Sequence, residues 1–234
     1  MSSLIDLSKK AKVVLEKKKV FGEKAQVIVA LDISGSMSHL YSNGTVQELA
    51  DRLLGIGMNM DLDKSIDIYA FGERSHEVGE AKESNHQGFV SNMMRKLSFE
   101  WSTNYAGVMQ KVIDKSSVKK ATGLGKFFSK KPEAPDVPTL VFFITDGDNH
   151  DKAAAEKLIK ESSNQAIFWQ FVGIGNASFN FLQKLDDMGG RFIDNANFFA
   201  VDDLRNITDE ELYERLLNEF PQWITEARSK NILK

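Results

Sequence analysis

The chain has 234 residues, 42% of them apolar, a formal net charge of −3 and no cysteine. That apolar share supports a full core in one α/β domain with room for an added segment, and argues against disorder along the whole chain. The small charge gives no reason to expect nucleic acid or an anionic membrane as partner, and the lack of cysteine excludes disulfides, zinc–thiolate sites and cysteine nucleophiles.

Residues 1–19 are polar and lysine-rich, with no apolar stretch of signal-peptide type, and no run in the chain is long enough to span a bilayer. A cytoplasmic protein is the expectation. Leu4, Leu7, Ala11, Val14 and Leu15 recur at helical spacing, which predicts an amphipathic helix over 3–18. Residues 25–31 are a near-continuous apolar run, the signature of a strand buried on both faces. After the break at Ser42-Asn43-Gly44, the stripe Val46, Leu49, Ala50, Leu53, Leu54 and Gly57 predicts a helix. Ile66, Ile68 and Ala70 alternate with polar neighbours as a half-buried strand does, ending at Phe71-Gly72, and a short pairing strand is expected near 76–78.

Helices are predicted around Phe89 to Leu97, where Met93 and Met94 read as core filler, and over 107–113. Residues 116–138 read as an inserted basic loop, in which Lys119, Lys120, Lys126, Lys130 and Lys131 surround Phe127-Phe128. Strands follow at 139–145, 167–174 and 198–201, separated by helices at 151–162 and around Phe179, Leu182 and Leu185. Asp148 or Asn149 is expected to cap the helix at 151. Thr208-Asp209-Glu210-Glu211 is a capping box that opens a C-terminal helix over 208–230, which Pro221 should kink or divide. His39, His76, His86 and His150 form no close-spaced ligand motif and read as surface or capping residues.

Strands alternating with helices imply an α/β fold: a doubly wound, mostly parallel sheet with helices on both faces and one short antiparallel edge strand. In such sheets ligands sit beyond the carboxyl ends of the strands, where the strand order reverses. Asp32-Ile33-Ser34-Gly35-Ser36-Met37 follows the first buried strand, and Thr145-Asp146-Gly147 follows the 139–145 strand. Both present hard oxygens, which suit a small hard cation such as Mg²⁺. Trp101-Ser102-Thr103-Asn104-Tyr105 precedes a helix, and Thr103 can add a hydroxyl to the same crevice.

These residues resemble the von Willebrand factor A (VWA) domain and its metal-ion-dependent adhesion site (MIDAS), whose pattern Asp-x-Ser-x-Ser, a distant Thr and a distant Asp matches Asp32, Ser34, Ser36, Thr103 and Asp146. Ser-Thr-Asn-Tyr stands where the family more usually has Gly-Thr. The resemblance runs from about residue 25 to 201, with 1–22 as a helical extension and 23–234 as the VWA domain. Within the family the chain is similar to the A domains of tellurite-resistance operons, the TerF type, and through them to copine A domains. The segments carrying this are 10–19, 46–54 and Tyr69-Ala70-Phe71-Gly72.

The resemblance implies that Ser34, Ser36 and Thr103 bind Mg²⁺ (or Mn²⁺ or Ca²⁺) directly, that Asp32 and Asp146 act mostly through water, and that a protein partner supplies an Asp or Glu carboxylate. A non-enzymatic interaction module in a stress or toxic-ion resistance system is the expected function. Two alternatives stand beside it. One is phosphoryl transfer, because haloacid-dehalogenase-type phosphatases also place an aspartate after the first strand; their second acid, two residues on, is here Ser34. The other is an assembly protein in which the metal is purely structural.

Overall fold

Successive side chains of β1 (Gln26–Asp32) belong to two different cores. Val27, Val29 and Leu31 face one layer, Ile28 and Ala30 the other, as the two-residue period of a strand requires. The same split divides β4 (Thr139–Thr145): Leu140, Phe142 and Ile144 on one side, Val141 and Phe143 on the other. This is why both read as unbroken apolar runs. The computed structural model in which this is seen describes residues 2–118 and 135–234.

The sheet has six strands in the order β3-β2-β1-β4-β5-β6, with β2 (Ser65–Phe71), β3 (Ser75–Lys82), β5 (Ile167–Ile174) and β6 (Ala196–Val201) completing it. All neighbours are parallel except β2 and β3. The antiparallel edge strand is not short: β3 spans eight residues, and its polar, half-exposed surface hid that length from the apolar pattern. On one face lie α1 (Leu4–Lys17), α3 (Thr45–Met60), α4 (Phe89–Met94), α8 (Asp209–Leu216) and α9 (Phe220–Ser229). On the other lie α5 (Ala106–Val118), α6 (Lys152–Ser162) and α7 (Asn180–Asp187). A 3₁₀ turn, Gly35–Met37, and the short α2 (Ser38–Ser42) connect β1 to α3.

The segment expected as an N-terminal extension supplies part of the first core, since Leu4, Ala11, Val14 and Leu15 are buried in it. Helix α1 lies so close to α3 that a Cβ on Gly55 would come within 3.2 Å of Leu7. Gly57 is tighter still, because a Cβ there would meet Ile66 and the Ser65 carbonyl at 2.6 Å. Residues 116–118 are the last turn of α5 rather than the start of a loop, and the lysines and Phe127-Phe128 of the expected insertion lie outside the described residues. The C-terminal helix is divided, with Pro221 in the first turn of α9, where its missing N–H does no harm. Thr208 Oγ1 accepts from the Glu211 amide at 3.2 Å, but the Glu211 carboxylate turns to Arg215 instead of completing the box.

A buried ion network pins α1, α3 and α8 together. Arg52 donates to the Leu204 carbonyl (3.0 Å) and Glu48 (2.7 Å), and its Nε lies 2.9 Å from Asp209. Asp209 also accepts from Lys10 at 2.8 Å and from Ser2 at 3.1 Å. Burial pushes the Asp209 carboxyl up, but Lys10 and Arg52 together bring it below the usual carboxylate range.

Candidate metal centre

β1 and β4 run side by side with Leu31 opposite Ile144, so Asp32 and Thr145 leave the sheet together at its carboxyl end. Strand order reverses between them, which opens the crevice there. Asp32 is fully buried. Its Oδ1 accepts from the Ser34 amide at 2.7 Å and its Oδ2 from the Thr145 hydroxyl at 2.6 Å. The Ser34 and Ser36 hydroxyls are 3.1 Å apart, and Ser36 donates to Asp146 Oδ1 at 2.9 Å. Tyr41 braces the loop from behind, donating to the Asp32 carbonyl at 2.8 Å. Four of the five expected residues are thus joined directly by hydrogen bonds.

Thr103 is brought to the same rim by its backbone. Glu100 forms a parallel bridge with Ser34: its amide donates to the Ile33 carbonyl, and its carbonyl accepts from the Gly35 amide, each at 2.9 Å. Farther on, Asn104 N donates to the Gly72 carbonyl (2.8 Å) and the Thr103 carbonyl accepts from His150 N (3.0 Å). The Asp151 carboxylate accepts from the amides of Tyr105 (2.9 Å) and Ala106 (2.7 Å), and Tyr105 Oη donates to the Gly147 carbonyl at 2.8 Å. The segment is therefore fastened to the ends of β1, β2 and β4.

Several of these residues were not visible in the sequence reading. Thr145 holds the key carboxylate, and its place next to Asp146 at a strand end was the available signal. Glu100 is buried among Arg74 N (2.8 Å), Arg74 Nη2 (3.0 Å) and His76 Nε2 (3.0 Å). Those partners hold its carboxyl below the usual range against the upward push of burial. Gly72 makes room for it, since a Cβ there would lie 2.8 Å from Glu100 Cβ. The cap of α6 also differs from expectation: the N-cap is Asp151, whose carboxylate serves the start of α5 instead. Of the histidines, His76 pairs with Glu100 and His86 with Asp51 at 2.9 Å, while His39 Nδ1 lies 2.9 Å from the Ser36 carbonyl.

Burial pushes Asp32 up to about 6, against the downward pull of the Thr145 and Ser34 hydrogen bonds, and the facing Asp146 adds to the rise. Asp146 is raised too, by burial first, with Ser36 and His39 opposing. Each of the two carboxylates accepts from its own neutral donors, Asp32 from the Ser34 amide and Thr145, Asp146 from Ser36. Among the described residues no group of three or more His, Cys, Asp or Glu side chains gathers at one point. The donor set is hydroxyl-rich instead, and hard neutral oxygens backed by two anions fit a small divalent cation.

Residues 24–233 match the family described as vWA-TerF-like, the vWA domain found in the TerF C terminus. The chain belongs to this family. The vWA-TerF-like chain is also 37% identical to the uncharacterized protein YcbR of Bacillus subtilis (strain 168), over 98% of its own length and 90% of that relative. Proximal thread matrix protein 1 from the mussel byssus shares the fold, with a TM-score of 0.50 and 16% identity over 86% of this chain. The ArnB paralog VWA2 from Sulfolobus acidocaldarius aligns with a TM-score of 0.48 and 14% identity over 84% of this chain. The chain spans just under half of these solved structures, 45% of VWA2 and 47% of the mussel protein. Among the described residues no helix is long and apolar enough to cross a membrane.

Proposed function

We propose that this vWA-TerF-like domain is a divalent-metal-dependent protein-interaction module that makes and breaks no covalent bond. Ser34, Ser36 and Thr103 would hold Mg²⁺ through their hydroxyls, with Asp32 and Asp146 acting through water; Mn²⁺ and Ca²⁺ belong to the same hard class. When bound, the ion supplies a positive centre that a partner's Asp or Glu carboxylate can complete. The chain's own residues do the positioning. Thr145 fixes Asp32, Asp32 fixes the Ser34 amide, and Asp146 orients the Ser36 hydroxyl. The observation that carries the reading is the unbroken chain of oxygens Ser34–Ser36–Asp146 on the rim, at 3.1 and 2.9 Å.

Two features favour binding over phosphoryl transfer. Both Asp32 oxygens are engaged in a fully buried position, which suits an anchor and not a nucleophile. The place of a second catalytic acid is taken by Ser34. The TerF affiliation supports a cytoplasmic role in bacterial stress or tellurite resistance, which loss of the gene would test as heightened sensitivity to tellurite.

The direct test is calorimetric titration of Mg²⁺ and Mn²⁺ into the wild type and Asp146→Ala. Saturable one-site binding, lost in the variant, is expected; equal isotherms would remove the basis of the reading. If Thr103→Ala abolishes metal uptake yet leaves partner capture intact, the metal is structural only.

A further inference from the structure

The chain has three tryptophans. Trp169 and Trp223 are 0% and 2% exposed, whereas Trp101 is 98% exposed. It stands two residues before Thr103, on the rim of the crevice. Its exposure follows from the strand-like bridge beneath it. Glu100 turns inward to Arg74 and His76, so its two neighbours turn outward. Phe99, the other neighbour, is 36% exposed and leans edge-on against Tyr41, the residue that braces the Asp32 loop.

Trp101 is not on a loose loop. Backbone hydrogen bonds hold Glu100 on one side and Thr103 and Asn104 on the other. The indole is thus presented in water by a fastened backbone, at the lip of a site proposed to take a carboxylate. Large exposed aromatics on ordered backbone are the residue type that anchors protein interfaces, because they bring contact area with little entropy left to lose. A cation stands nearby: the Arg74 guanidinium, held on Glu100 through Nε and Nη2, keeps its side chain 72% exposed. The aromatic Trp101 and the guanidinium bound to its chain neighbour Glu100 are both exposed, which complements an acidic segment carrying an apolar side chain.

Resting on the metal-dependent reading above, we propose that Trp101 is the specificity-determining contact of this site. It receives a large apolar side chain adjacent to the carboxylate that completes the metal's shell. The partner is therefore a protein segment in which an Asp or Glu neighbours an aromatic or large aliphatic residue. A bare acid is a poor ligand.

The test uses the whole chain and short Gly/Ser host peptides carrying one Asp, with either Phe or Gly beside it, in Mg²⁺ and again in chelator. The acrylamide-quenchable part of the indole emission reports on Trp101, because the other two tryptophans are buried away from the quencher. In Mg²⁺ the Asp-Phe peptide should bind about tenfold tighter than Asp-Gly, shift the emission to the blue and protect it from quenching. In Trp101→Ala, where the reporter indole is gone and both peptide and Mg²⁺ affinities are read by calorimetry, the preference should vanish while Mg²⁺ affinity stays unchanged; Trp101→Phe, read the same way, should restore most of the preference. Equal affinity for the two peptides, or a preference that survives Trp101→Ala, overturns the assignment and leaves the interaction module standing. Loss of Mg²⁺ affinity in Trp101→Ala overturns it as well, by making the indole part of the metal site. Peptide binding that is absent in Mg²⁺, or indifferent to chelator, overturns both readings. A metal-independent blue shift on anionic phosphatidylserine vesicles would assign the indole to a membrane and likewise overturn the proposal.

Discussion

Asp32 and Asp209 are both buried carboxylates, and they are driven in opposite directions. Asp209 sits where three helices meet, and the chain supplies its counter-charges, Arg52 and Lys10. It is held below the ordinary carboxylate range. Asp32 sits where two strands end. It receives only neutral donors, faces a second acid, and rises to about 6. A carboxylate whose job is structural is neutralised from within. One left short of positive charge at a strand end, beside paired hydroxyls, is suited to a cation from solution.

The comparison can be broken most forcefully at Asp209. Asp209→Ala leaves the Arg52 guanidinium buried with only part of its partnership, and about 3 kcal/mol of stability should go. The readout is a lower urea midpoint at unchanged slope; a small effect would mean the network is ornamental. Asp32→Asn should behave in the opposite sense. It removes the charge that burial opposes, so metal-free stability should hold or rise, while Mg²⁺ affinity falls about 10–100-fold. Comparable destabilisation by both substitutions would sink the contrast.

Gly72→Ala sharpens it from the side. The new Cβ would sit 2.8 Å from Glu100, so the segment carrying Thr103 must shift. A loss of about 1–3 kcal/mol is expected, with weaker Mg²⁺ uptake in the same calorimetric assay.

The smallest effect concerns Asp186, which burial and then Glu219 push up to about 7. The native state there keeps a proton that the unfolded chain has released. Stability should therefore fall as pH climbs from the model-peptide value of 3.8 towards 7. Solvent screening should keep this to under about 1 kcal/mol. Asp186→Asn should flatten that slope in pH-dependent melts and leave the Mg²⁺ isotherm unchanged. A raised acid is not by itself a metal site, and altered metal binding in this variant would contradict that distinction.

Much of this was legible before any coordinates. The bounds of β4 and β5 were readable to the residue because both strands are buried on both faces and apolar apart from the terminal threonines of β4 and Gln170 of β5. Asp32, Ser34, Ser36 and Asp146 could be grouped because each lies at or just beyond the end of a buried strand. The full length of β3 could not be read, since an edge strand keeps polar residues on its open side. Glu100 and Asp151 escaped for a different reason. Their roles depend on partners far along the chain, Arg74 and His76 for one and Tyr105 and Ala106 for the other. No local pattern encodes such meetings.

The hydrogen bond from Ser36 to Asp146 joins positions 110 residues apart. A divalent ion seated between those two stretches would act as a reversible rivet across nearly half the polypeptide. Its grip exists only while both stretches are docked, so thermal midpoints should climb with the logarithm of ion concentration above the dissociation constant. Adding chelator would then loosen the whole sheet and not merely empty its edge.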